Sequence, residues 1–172
     1  MYDIIYADPP WSYATFKNCV PSRSKSGQPY KAMRIIDIYE FDIPKTNDDA
    51  VLFLWATSPL MPEAIYTMKR WGFDYKNIAF TWIKKNKKAD SNFWGMGSWT
   101  RSNPEFLLLG TKGNPKKVSS SVHSVVESKI QEHSKKPDII RDKIVELCGD
   151  KKRVELFARC KVEGWDSLGN EI

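Results

Sequence analysis

Apolar residues recur along this chain with two alternating periods. Ile4-Ile5-Tyr6-Ala7 is a short β-rich run halted by Pro9-Pro10, which predicts a strand ending at Asp8. Met33 to Tyr39 has helical spacing, Ala50 to Trp55 predicts a buried strand, and Pro59 to Trp71 predicts an amphipathic helix with Gly72 just past its end. Asn77 to Lys84 and Glu105 to Thr111 read as two strands, separated by a Gly/Ser/Asn-rich stretch that carries Trp94, Trp99 and Arg101. A helix over Pro137 to Leu147, closed by Gly149, and a strand over Arg153 to Ala158 complete the pattern.

Strands alternating with helices imply an α/β fold: a mostly parallel sheet with one antiparallel hairpin and a ligand crevice at the strand C-termini. At 172 residues, with no repeat or linker, the chain reads as a single domain, residues 1–172, able to bury roughly 70% of its unfolded surface. Two stretches, about 12–31 and 85–104, lack an apolar period and are expected to be mobile loops.

Composition narrows the function classes. The hydrophobic fraction is 41%, and the longest apolar runs, at Val51 to Trp55 and Phe106 to Leu109, are too short to span a bilayer. No export signal opens the chain, and three cysteines (Cys19, Cys148, Cys160) cannot all pair, so a reducing cytoplasm is the expected compartment. The net charge of +6 suits a polyanionic partner, with basic clusters at Lys84 to Lys88, Lys112 to Lys117, Lys135-Lys136 and Lys151 to Arg153. His123 and His133 have no Cys or carboxylate at ligand spacing, so no metal is expected. Trp71, Trp82, Trp94, Trp99 and Trp165 each read as core residues, although Trp99 and Arg101 fall where substrate would be met.

The sharpest local signal is Asp8-Pro9-Pro10-Trp11 at the end of the first strand. The lone pair of an exocyclic adenine amine is delocalised into its ring, so making it nucleophilic requires acceptors that hold both N–H groups. Asp8 supplies a carboxylate, and the carbonyl of Pro9, on a turn whose prolines fix φ, supplies the second acceptor. Trp11 can stack on a purine taken out of its helix. An ordinary turn with a core tryptophan is the alternative, and the placement after a strand in an α/β pattern argues against it.

Further motifs follow in order: Pro29-Tyr30, Leu52-Phe53-Leu54-Trp55, Trp82-Ile83-Lys84-Lys85-Asn86 and Gly110-Thr111-Lys112-Gly113-Asn114-Pro115. After these come Ser134-Lys135-Lys136-Pro137, Glu155-Leu156-Phe157-Ala158-Arg159 and Leu168-Gly169-Asn170. In this order the chain resembles, over nearly its whole length, the MT-A70 family of adenine N6-methyltransferases. The resemblance implies a permuted Rossmann-like fold that uses S-adenosyl-L-methionine. It implies that Asp8, Pro9, Pro10 and Trp11 hold the target amine and border the methyl donor, and that Tyr30 faces the target base. Lys84 would meet the methionine carboxylate of the cofactor, Phe157 and Arg159 would line its pocket, and Asn170 would bond its ribose or adenine. Glu155 would either reach the ribose or serve as a paired structural carboxylate.

Three departures from the family pattern stand out. Ala158 replaces the usual glycine of the cofactor strand, and Lys161-Val162 replaces a His-Asn pair. The chain also starts close before its motif strand, which leaves adenine recognition to Asn170, Glu171 or main chain. Phosphate contacts are expected from Lys85, Lys87, Lys88, Arg101, Lys112, Lys116 and Lys117. The partner expected is nucleic acid, with DNA as the main reading and RNA or a catalytically silent partner subunit as alternatives. A homodimer or a pair with a second subunit of the same fold is also expected, by analogy with relatives.

Overall fold

The computed structural model describes residues 1–12, 32–97, 99–132 and 134–169. Tyr30, Asn170, Glu171, Cys19, His133 and, apart from Ser12, the expected loop before residue 32 lie outside them.

Seven strands form one sheet: β1 (Tyr2–Ala7), β2 (Thr46–Ala56), β3 (Asp74–Lys85), β4 (Glu105–Lys112), β5 (Val125–Lys129), β6 (Arg153–Leu156) and β7 (Asp166–Leu168). Their spatial order is β5-β3-β4-β2-β1-β6-β7. β1 pairs in parallel with both β2 and β6, so Ile5 faces Leu52 on one side and Val154 on the other. β4 alone runs against its neighbours, β2 and β3. The fold is therefore the Rossmann-like, permuted arrangement that the motif order implies: a mostly parallel sheet with one antiparallel hairpin.

Helices cover both faces, which explains the unbroken apolar runs of the central strands. On one face, α1 (Ile35–Tyr39) and α2 (Met61–Arg70) close over Ile5, Ala7, Leu52, Leu54, Leu108, Val154 and Leu156. On the other, α3 (Ile139–Cys148) sets Ile140 and Ile144 against Ile4, Tyr6, Phe53, Trp55, Phe80 and Leu107. The strand period of two sends neighbouring residues of β1 into different cores. Buried donors are satisfied across elements: the Trp55 indole N–H donates to the Tyr6 hydroxyl at 2.7 Å, and that of Trp71 to the Ile38 carbonyl at 3.0 Å. Among the described residues no helix is long and apolar enough to cross a membrane.

Boundaries differ from the sequence reading where local contacts intervene. The helix expected from Met33 starts at Ile35, because the Met33 N–H is drawn 2.9 Å to the Pro10 carbonyl. The second helix enters through a 3-10 turn, Ser58–Leu60. The strand expected to reach Ala158 stops at Leu156, since Phe157 turns to φ +60°. β5 and β7 were not anticipated; both are short edge strands with little buried side chain.

Trp71, Trp82 and Trp165 are core residues as expected, but Trp94 and Trp99 are not: they stand 59% and 98% exposed. The β3–β4 connection carries both of them.

Candidate active site

The parallel strands end along one edge of the sheet, and β4, running the other way, begins there. Asp8 follows β1, Lys84 closes β3, Glu105 opens β4, and Phe157 and Arg159 follow β6. The edge thus gathers Asp8, Lys84, Phe157 and Arg159, four of the residues read from sequence, and adds two that were not assigned a role, Glu105 and Lys136.

The Asp-Pro-Pro-Trp turn is held on three sides. The Trp11 backbone N–H donates 2.8 Å to the Pro9 carbonyl, the Pro10 carbonyl accepts from Met33, and the Trp11 indole donates 2.9 Å to the Trp55 carbonyl on β2. Trp11 is 8% exposed, so it packs into the core beneath the turn while fixing its shape. A carbonyl oxygen carries two lone pairs, so that of Pro9 has the capacity to accept from a second donor.

An ion network surrounds the Asp8 carboxylate. The Lys136 ammonium lies 2.9 Å from Asp8 and 3.3 Å from Glu105, and Lys84 pairs with the other Glu105 oxygen. Lys136 sits 5.4 Å above the Trp55 ring and Lys84 5.2 Å above that of Trp82, so the two indole faces support the two cations. Burial pushes the Asp8 carboxyl above its ordinary range, against the pull of Lys136 and, more weakly, Arg159. Glu105 moves the opposite way: burial works to raise it, but Lys136 and Lys84 more than offset this and hold it low. For Lys136, burial works to lower the ammonium, and Asp8 and Glu105 outweigh it and hold the proton on. The edge therefore sets two lysines against two carboxylates, with Asp8 the carboxylate whose charge burial opposes with net effect.

Backbone strain gathers here too. The described non-glycine residues with positive φ are Ser134, two positions before Lys136, and Phe157, beside the end of β6. The Phe157 ring packs 4.6 Å from Phe41 and stacks 6.5 Å from Trp71. Ala158, in place of the usual glycine, is buried, with its N–H donating 3.1 Å to the Leu168 carbonyl. The closest approach falls instead at Gly169, where any side chain would collide with the Ala158 carbonyl oxygen and meet its nitrogen at 2.8 Å.

Glu155 is 6% exposed and takes a bidentate Arg141 fork at 2.8 and 2.9 Å. Both oxygens are engaged with Arg141 of α3.

The basic residues expected at phosphates separate into two groups. Lys87, Lys88 and Arg101 are exposed in the β3–β4 connection beside the ion network, with Lys85 next to them bridged to Glu127 at 3.2 Å. Lys112 closes β4 and Lys116 and Lys117 lie past it, roughly 24 Å away by the length of an eight-residue strand. There Lys116 and Lys117 border a cavity of about 200 Å³ together with Asp3, Asp49 and Cys148. The two groups do not form one surface.

A model of the MT-A70 family matches residues 2–171. The Type II methyltransferase M.MunI of Mycoplasma sp is 32% identical over 188 residues, covering 99% of this chain and 78% of that protein. The N(6)-adenosine-methyltransferase MT-A70-like of Arabidopsis thaliana is 28% identical over 99% of this chain and 24% of its own length. The human N(6)-adenosine-methyltransferase catalytic subunit METTL3 is 27% identical over 99% of this chain and 28% of its own length. The chain thus spans most of the first relative and about a quarter of the other two.

Proposed function

This chain belongs to the MT-A70 family, and on that premise we propose that it transfers a methyl group from S-adenosylmethionine to the N6 amine of an adenine in nucleic acid. The observation that carries the reading is the Asp8 carboxylate at the end of the central strand, 2.9 Å from a charged Lys136 and next to the fixed Pro9 carbonyl.

The residues at the edge suit the cofactor chemically. A carboxylate-bearing donor needs a cation, and Lys84 and Arg159 stand on either side of Asp8; a sulfonium is favoured by the nearby carboxylates and ring faces. Glycine at 169 lets two backbone segments close against each other beside Phe157 and Arg159. Bound there, S-adenosylmethionine supplies an electrophilic methyl group.

The chain's own residues prepare the amine. Asp8 accepts one N6–H and the Pro9 carbonyl accepts the other, which turns the nitrogen lone pair out of the ring plane and aims it. Lys136 favours the Asp8 anion against its burial. As the N–C bond would form, the methyl–sulfur bond would break to leave S-adenosylhomocysteine, the positive charge developing on N6 would be stabilised by the carboxylate, and Asp8 or adjoining water would take the proton that leaves N6. Trp11 acts through the turn that it anchors. The four-residue motif is intact and the Asp8 side chain keeps 20% exposure, which supports an active enzyme over a silent partner subunit.

Two features bear on the polynucleotide. The plant and human relatives are named as adenosine methyltransferases, which favours adenosine in RNA. The relative of comparable length is named as a Type II methyltransferase with no polymer stated, so DNA is kept as the second reading. Nucleoside mass spectrometry of DNA and RNA after incubation with the protein and labelled S-adenosylmethionine tests both. Labelled N6-methyladenosine or its deoxy counterpart identifies the substrate; label on another base or none in either polymer overturns the proposal.

A further inference from the structure

Six residues of the β3–β4 connection hold three of the most exposed large apolar side chains described: Trp94 at 59%, Met96 at 87% and Trp99 at 98%. Tryptophan in water forgoes burial of roughly 150–250 Å² of ring surface, so such a cluster in a folded segment points to a partner.

The segment is firmly built. The buried Asn103 carboxamide accepts from the Lys84 N–H at 3.0 Å and donates to the Lys84 carbonyl at 2.9 Å and to the Phe93 carbonyl. The Phe93 N–H donates 2.8 Å to the same Lys84 carbonyl, and the Gly95 N–H donates 2.7 Å to Ser102. At Gly97 the chain turns so tightly that a Cβ would collide with the Thr100 carbonyl. The result is an arm rooted at Lys84 and Glu105, the two strand ends that carry the ion network beside Asp8, with its aromatic residues outermost.

Its charge says what it meets. Between residues 85 and 104 stand Lys85, Lys87, Lys88 and Arg101 against one acid, Asp90. The Arg101 guanidinium rests 3.0 Å from the Met96 sulfur, among the aromatic residues. Protein interfaces deplete lysine and bury their aromatic residues among apolar neighbours. Exposed aromatic rings interleaved with cations are what unpaired nucleobases on a phosphate backbone require.

We propose that the described residues between 86 and 104 form a base-stacking arm in which Trp99, flanked by Trp94 and Arg101, stacks on a nucleobase next to the adenine whose amine meets Asp8. The arm rests on the proposed nucleic-acid substrate and adds how the strand is held once that adenine leaves its stack. Removing an adenine from a duplex exposes the faces of its neighbours, and an indole ring replaces the lost stacking.

The test uses the full chain with oligonucleotides carrying 5-iodouracil at single positions around one adenine, photocrosslinked and mapped by peptide mass spectrometry. Trp99 is expected to crosslink from a position adjacent to the adenine. Trp99→Ala should weaken oligonucleotide binding by about tenfold and Trp99→Phe by less, with S-adenosylmethionine affinity and the salt dependence of binding unchanged. Arg101→Ala should instead flatten the salt dependence.

Normal oligonucleotide affinity in Trp99→Ala together with a smaller sedimenting species would make the arm a protein interface and overturn the proposal. So would crosslinks confined to other segments. Crosslinking to Trp99 without methyl transfer would leave the arm standing and refute the proposed reaction, whereas failure of the unaltered chain to bind any oligonucleotide would refute both.

Discussion

Lys136 reaches across 128 positions of sequence to place its ammonium 2.9 Å from the Asp8 carboxylate. The contact joins the segment before α3 to the end of β1, and it opposes the effect of burial on the group proposed to hold the amine.

The first prediction follows from that contact. Burial raises the Asp8 carboxyl and Lys136 counteracts it, so removing the cation lets the carboxyl rise further. Activity that needs the Asp8 anion is lost as pH falls through this value. In Lys136→Met the acid limb of the kcat/KM profile should therefore move to higher pH, measured at saturating cofactor. An unmoved limb would show that Lys136 does not tune Asp8.

Glu105 gives a stability prediction of opposite sign. Its carboxyl is held below the ordinary value of 4.5, so its contribution is present above that pH and lost as pH falls through the lowered value. Glu105→Gln should cost about 1.5–3 kcal/mol at neutral pH, as for a hydrogen bond to a charged group, with the gap to the unaltered protein closing in acid. Denaturant titrations at several pH values check this, and a pH-independent gap would count against it.

Glu155 separates structure from cofactor binding. Breaking its buried fork with Arg141 by Glu155→Gln should destabilise the protein by up to about 3–5 kcal/mol, because the guanidinium keeps only the exposed Asp138, 3.1 Å away, as a counter-charge. Calorimetry on the folded fraction should find S-adenosylmethionine affinity unchanged. A large loss of affinity at normal stability would return Glu155 to the ribose.

The local pattern of residues foretold much of the fold and part of the site. The Asp8 turn is visible because a β run stops at two prolines, whereas Lys84 comes from the resemblance to the family, through Trp82-Ile83-Lys84-Lys85-Asn86. Helix and strand positions came from periodicities that the two-faced sheet enforces. What escaped was non-local. Glu105 heads an apolar strand, and only the fold shows that β4 starts at the edge where β1 ends. Lys136 sits in a basic pair that reads as a solvated loop until Asp8 is brought beside it. β5 and β7 carry too few buried side chains to leave a period. Trp94 and Trp99 were read as core because burial is the usual fate of tryptophan.

The most direct measurement on the proposed reaction compares methyl transfer and cofactor binding in Asp8→Ala and Asp8→Asn with the unaltered chain, after thermal melts confirm that each variant is folded. If Asp8 acts on the amine, kcat falls by roughly a hundredfold to a thousandfold or more in both, comparable to loss of a charge-stabilising group elsewhere, while S-adenosylmethionine affinity changes only slightly. Near-normal turnover in either variant, or loss that tracks weakened cofactor binding alone, would contradict the account.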